Sequence, residues 1–142
     1  EAQIDRFLFK ISMDYPDEGD EEKLMSENIT FKKFEEYGLR QMLSPQKIME
    51  LQQLTQSIYL DKKIKKYIVE IVKRSRTREF PHGEYVELGG SPRASISLFI
   101  ASKAEALLNG RNYVIPKDIK VVIKDVLRHR FILSFRANST FS

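Results

Sequence analysis

Apolar residues recur at helical spacing through most of this chain and alternate only near its start. Phe7, Phe9, Ile11 and Met13 occupy every second position, which predicts a short strand over 7–13 with those four on one face. Tyr15-Pro16 ends it, because proline has no N–H to give to a ladder. An acidic stretch then opens a helix, with Asp20 as N-cap and Glu21 and Glu22 in the first turn, where the helix dipole favours carboxylates. Residues 30 to 43 predict an irregular connector around Tyr37-Gly38. Ser44-Pro45, a cap followed by proline at the first helical position, starts a helix with Ile48, Leu51, Leu54 and Ile58 along one stripe, and Met49 less regularly. Asp61 caps a stronger helix, with Ile64, Tyr67, Ile68, Ile71 and Val72 inward and lysines outward.

Proline and glycine at 81, 83, 89 and 90 predict a loop in which only Tyr85 to Leu88 is extended. Ser91-Pro92 repeats the cap-and-proline start. Ile96, Phe99, Ile100, Ala104, Leu107 and Leu108 form the expected buried stripe, and Gly110 stops that helix. Pro116 opens the last helix, with Ile119, Val122, Ile123, Val126 and Leu127 inward, and residues 131 to 135 predict a short final strand. The fold class is therefore mainly α: a small helical domain plus one N-terminal strand that suits the severed edge of a sheet lying upstream. The composition shift near residue 16 divides the chain into 1–16 and 17–142.

Composition changes this picture little. The 142 residues are 42% hydrophobic and 31% charged, ordinary for a globular domain. No apolar run approaches the ~18 residues of a membrane span. Cysteine is absent, which excludes disulfides, thiolate metal sites and cysteine nucleophiles and suits a cytoplasmic setting. A first residue of Glu1 and no basic-then-apolar leader suggest numbering that begins inside a longer protein. The net charge of +4 is unevenly spread. Carboxylates crowd residues 14 to 27, and Lys62, Lys63, Lys65, Lys66, Lys73, Arg74, Arg76 and Arg78 crowd residues 61 to 78. Such a run can mark a nucleic-acid surface, but a solvated helix face explains it more simply.

Candidate chemistry concentrates at Gly89-Gly90-Ser91-Pro92-Arg93. Two glycines allow close backbone approach, Ser91 caps, Pro92 presets the helix, and Arg93 falls in the first turn, where the dipole disfavours a cation by about 0.3–1 kcal/mol. Phosphate binding at the helix start would explain that placement. On spacing alone, pairing with a surface carboxylate is the preferred reading. Arg6 poses the same choice between a phosphate and a weak surface ion pair. Arg128-His129-Arg130 reads as a cluster capping the last helix. His82 and His129 have no Asp, Glu or Cys at ligand spacing, so no metal site is expected. Neither G-x-x-x-x-G-K-[ST] nor G-x-G-x-x-G occurs, and no complete active site is visible.

Taken together, these segments resemble the MoxR-type AAA+ ATPases. Glu1-Ala2-Gln3-Ile4-Asp5-Arg6-Phe7, followed by Tyr15-Pro16, resembles the E-A-Q-L-D-R-F and Y-P that close the family's nucleotide-binding core. Gly89 to Ala94 resemble its G-A-S-P-R-A. Ala104 to Val114 and Pro116-Lys117-Asp118 resemble A-x-A-x-x-x-G-R-x-Y-V-x-P-x-D, and Val126 to Arg130 resemble V-L-R-H-R. The resemblance implies that 1–16 is the end of the core and 17–142 the helical lid. It implies that Arg6 is an arginine finger reaching the neighbouring subunit's ATP. It makes Arg93 the sensor 2 arginine on its own subunit's γ-phosphate, with Gly90, Ser91 and Pro92 around it, and the preference for surface ion pairs reverses. Ile115 stands where the family has a hydroxyl cap, a loss that typically costs about 1 kcal/mol.

The implied protein is a ring of identical subunits, a hexamer, that needs ATP and Mg²⁺. Its phosphate loop and catalytic carboxylates would lie upstream, so these residues alone would not hydrolyse ATP. The implied role is chaperone-like, on client proteins that include ones with von Willebrand factor A domains. Two alternatives stand beside it. One is a basic nucleic-acid-binding module using the Lys62–Arg78 face and Arg128 to Arg130, against which Tyr59 and Tyr67 lie in apolar stripes rather than among the cations. The other is the lid of a magnesium-chelatase-type or helicase-type relative.

Overall fold

The structure, a computed structural model, describes residues 3–27 and 34–137. Five helices carry it: α1 (Glu18–Glu27), α2 (Pro45–Ser57), α3 (Lys62–Thr77), α4 (Pro92–Leu108) and α5 (Pro116–Leu127). Strands β1 (Val86–Leu88) and β2 (Ile132–Leu133) pair antiparallel, Val86 opposite Leu133 and Leu88 opposite Ile132. Short 3₁₀ turns occupy Ile4–Arg6, Phe34–Tyr37 and Gly83–Tyr85.

The local start and stop signals act as their chemistry requires. Ser44 accepts from the Lys47 N–H at 3.2 Å, Asp61 from the Lys63 N–H at 2.7 Å, and Ser91 from the Arg93 N–H at 3.2 Å. At the end of α4, Gly110 takes φ +68°, so its N–H reaches Leu107 O while the Arg111 N–H reaches Ala106 O, both at 2.9 Å. A side chain at 110 would strain that left-handed turn. The cap of α1 differs from expectation: Asp17, not Asp20, accepts the Asp20 N–H at 2.9 Å, and Asp20 lies inside the first turn. Part of the expected 30–43 connector, residues 30–33, lies outside the described residues.

α4 is the central helix, packed on α5, α3, α2 and the Ile4–Arg6 turn. Its buried face corrects the sequence expectation. Ala94, Ser97, Leu98, Ala101, Ser102, Lys103 and Ala106 are inside, whereas Ile96, Ile100 and Leu108 are exposed. The helix is apolar around nearly its whole circumference, so periodicity could not choose a face. Close approach of α5 and α3 chose the side with small residues. Around it Ile68, Val72, Ile119, Val122, Val126 and Leu127 complete the core, and α5 buries the stripe its sequence predicts, with Ile123 only partly buried. On α2 the expected stripe is largely uncovered: Ile48, Met49 and Leu54 are exposed, and only Ile58, just past the helix, reaches a second cluster with Ala106 and Val114. Tyr67 of α3 is likewise exposed. Lys103, buried beside it, donates from Nζ to Gln56 O at 2.6 Å, at the C-terminal end of α2, and lies over the Phe99 ring.

Residues 7–13 form no strand. A strand needs a neighbour's N–H and C=O groups, and none of the described residues runs alongside this segment. Instead the Lys10 N–H donates to Asp125 O at 2.9 Å, and Phe7, Ile11 and Met13 are exposed.

The missing hydroxyl at Ile115 has a substitute. Asp118, 2% exposed, accepts the Ile115 N–H at 2.9 Å and both guanidinium nitrogens of Arg111, at 2.9 and 2.5 Å. This supplies the side-chain-to-backbone half of a capping box without a cap side chain. Burial alone would push the Asp118 carboxyl upward, but the hydrogen bonds from Arg111 and Ile115 and the nearby cations outweigh it and hold it below its ordinary range.

Two outcomes follow from this packing. Ala101→Leu should destabilise by roughly 1–3 kcal/mol through overpacking, whereas Ile100→Ala should stay within about 0.5 kcal/mol, typical of the surface; urea unfolding of the two variants checks which face is inside. Because the Asp118 carboxyl is depressed in the fold, its stabilisation is complete above the ordinary carboxylate range near ~4 and is lost as pH falls through it. The urea midpoint of the wild type should therefore drop on acidification more steeply than that of Asp118→Asn.

Candidate functional site

Arg6 and Arg93 come together although 86 residues separate the turn that holds one from the cap of the helix that holds the other. With Asp5, Ile96 and Ser97 they line an open depression of about 400 Å³. Both guanidiniums are exposed, and among the described residues neither has an ion-pair or hydrogen-bond partner. The surface carboxylate that spacing alone suggested for Arg93 is not there. Asp5 lines the depression too, but its oxygens are taken: Oδ2 accepts from the Ser91 hydroxyl at 2.9 Å and Oδ1 from Arg130 Nε at 3.0 Å.

The glycines and the cap serve the fold at this site. A Cβ on Gly89 would stand 2.4 Å from Ser75 O, so its bareness admits α3 rather than a ligand. Gly90 is buried, its N–H donates to Ser75 Oγ at 3.0 Å, and its C=O accepts from Arg76 Nε at 2.7 Å. Of the first-turn donors, Pro92 has none, the Arg93 N–H is held by Ser91 Oγ, and the Ala94 N–H by Ser91 O at 2.9 Å. The attraction for an anion therefore comes from the side chains of Arg6 and Arg93, not from free backbone N–H groups as the helix start suggested.

Arg130 corrects a second expectation. It is no exposed capping residue: its side chain is 1% exposed. Besides Asp5 Oδ1, its fork donates to Phe7 O at 2.6 Å, Asp5 O at 3.1 Å, Leu8 O at 3.2 Å, Ser97 Oγ at 3.0 Å and Val126 O. All five N–H groups of the guanidinium can thus be satisfied. His129 adds a bond from Nε2 to Phe7 O at 3.0 Å, so that nitrogen carries the proton, while Nδ1 is buried without a partner. Sequence spacing could not reveal Arg130, because its main partner lies 125 residues away. Only the V-L-R-H-R resemblance marked its position.

This burial also bears on the nucleic-acid alternative. Arg130 is sealed, Arg128 pairs with Asp125 at 2.9 Å, Arg74 with Glu70 at 3.2 Å, and Arg76 and Arg78 donate to carbonyls of Gly90 and Glu87. Fewer free cations remain than the sequence suggests. Among the described residues no three His, Asp or Glu could share a metal ion, and no helix is long and apolar enough to cross a membrane.

Comparison with known proteins agrees with this arrangement. The AAA lid domain family matches residues 78–140. The chain is 36% identical to Chaperone MoxR1 of Mycobacterium tuberculosis, across 96% of this chain and 36% of that protein. It is 42% identical to the uncharacterized protein YeaC of Bacillus subtilis, across 94% of this chain and 39% of that one. A crystal structure of a protein provisionally assigned as an ATPase, from Cytophaga hutchinsonii, superposes with a TM-score of 0.82 at 33% identity, covering 99% of this chain and 43% of that one. The chain belongs to the MoxR-type AAA+ ATPases. It spans about two-fifths of the length of these relatives and includes the lid domain.

Removing the Arg130 guanidinium tests the core of this MoxR-type lid. Arg130→Ala leaves Asp5 and several carbonyls unpaired and should cost about 3–5 kcal/mol, measured by urea unfolding. Arg128→Ala, at the surface, should cost no more than about 1 kcal/mol.

Proposed function

We propose that this chain is the nucleotide-sensing lid, with the last segment of the core, of a cytoplasmic ring ATPase that remodels or matures client proteins. Residues 17–142 form the lid and 1–16 the end of the core. The observation that carries this reading is the pair of partnerless guanidiniums, Arg6 and Arg93, on one depression. Phosphoryl transfer spreads negative charge over the equatorial oxygens, and guanidiniums held ready for it lower the barrier. Arg93 sits at a helix start where the dipole disfavours a cation, a placement that a bound anion explains. The depression suits the phosphate end of ATP. It offers no carboxylate set for Mg²⁺, whose ligands would come from elsewhere in the full-length protein. The name of the mycobacterial relative supports a chaperone-like role, and partners with von Willebrand factor A domains are the clients the family resemblance suggests.

As first read, the two arginines serve different nucleotides: Arg6 that of the neighbouring subunit, Arg93 that of its own. Their shared depression favours a second reading, in which one subunit presents both to the same nucleotide.

In the full-length protein, Arg6→Ala and Arg93→Ala should each lower ATP turnover on the order of a hundredfold or more. Unchanged turnover in both sinks the assignment. Mixed rings then separate the two readings. If the arginines serve different nucleotides, some interfaces in a mixture of the two mutants combine an intact Arg6 with an intact Arg93, and turnover partly returns. If one subunit supplies both, no subunit in the mixture is competent and none returns.

A further inference from the structure

We infer that Asp5 and Arg130 are positioning residues that hold Arg6 and Arg93 as one rigid phosphate-binding pair. This inference rests on the reading of those two arginines given above. Arg6 closes a three-residue turn, Ile4–Arg6, too short to hold itself in place. What fixes that turn is Arg130, which grips Asp5 at its carboxylate and its carbonyl and continues to the carbonyls of Phe7 and Leu8. The same Asp5 carboxylate accepts from Ser91 Oγ, and that oxygen caps α4 by accepting the N–H of Arg93 itself. Arg130 also donates to Ser97, one turn further along α4. A continuous set of hydrogen bonds thus joins the backbone of Arg6 to that of Arg93, with both side chains left free.

The rival explanation is that Asp5 and Arg130 are structural and affect anion binding only through their charge. The two accounts predict opposite signs. Asp5 lines the depression, so as a bare negative charge it repels phosphate, and Asp5→Asn should tighten binding. As a positioning group it must accept from Ser91 and Arg130 at once. Asparagine has one oxygen to offer and would turn an N–H toward a donor, so Asp5→Asn should loosen binding. Arg130→Lys keeps the positive charge but loses the fork. Charge alone predicts no change there, and positioning predicts weaker binding.

The test is a titration of this chain, ¹⁵N-labelled in its arginine side chains, with inorganic tripolyphosphate followed by NMR. In the wild type the Nε–H signals of Arg6 and Arg93 should move together on one isotherm. In Asp5→Asn and Arg130→Lys, with the amide spectrum keeping its dispersion, affinity should fall about tenfold and the two signals should titrate apart. Asp5→Asn added to Arg6→Ala should cost little more, because the pair is already lost. Unchanged or tighter binding in both variants overturns the inference while leaving the phosphate site intact. A wild type in which neither arginine signal moves overturns the phosphate site itself, and the inference with it.

Discussion

A guanidinium with 1% of its side chain exposed is an expensive thing to bury, and much of this structure is arranged around that fact. Removing a charge from water costs several kcal/mol unless every donor is met and an opposite charge lies close. Arg130 meets both conditions only if the chain's N-terminal segment lies across the end of α5, because Asp5, Phe7 and Leu8 supply most of its acceptors. The lid and the segment that precedes it are thereby locked in one arrangement. An apolar residue at 130 could fill the same volume, but it would not specify which backbone lies against it. The ion pair selects a geometry more than it adds stability.

α4 shows a second constraint of the same kind. Apolar residues surround it, so the hydrophobic effect alone does not decide its orientation. Small residues do: Ala94, Ser97, Ala101 and Ala106 let neighbouring elements approach, and the larger Ile96 and Ile100 are left outside. That choice of face places Ser97 under Arg130 and turns Ile96 toward the depression that holds Arg6 and Arg93. Packing of the core and presentation of the site are one decision.

What could be read in advance follows from range. Caps and stops depend on neighbours within a turn, and Ser44, Asp61, Ser91, Gly110 and Pro116 were legible as helix punctuation. Asp17 was missed in favour of Asp20, an ambiguity of three residues within an acidic run. The inward face of α4, the fate of residues 7–13 and the burial of Arg130 depend on contacts across the whole chain, to which periodicity is blind. At the site, the two arginines were legible from helix-start chemistry and from family resemblance. Their meeting on one depression was not, because nothing local links Arg6 to Arg93. The glycines before Ser91 were misread for a related reason: a bare backbone marks close approach, but the sequence does not name what approaches.

Arg93 is the place where local rules and the structure disagree most. A cation in the first turn of a helix, with no carboxylate beside it, is unfavourable by the dipole and uncompensated by any described neighbour. The first-turn N–H groups nearby are already used by Ser91, so the backbone could not bind an anion strongly without this side chain. Elsewhere the chain satisfies its polar groups closely, down to Asp118 standing in for a missing hydroxyl cap. A fold this thorough that still leaves two guanidiniums free on one depression has unspent binding capacity there, and positive charge that the fold does not neutralise is available to an anion from outside it.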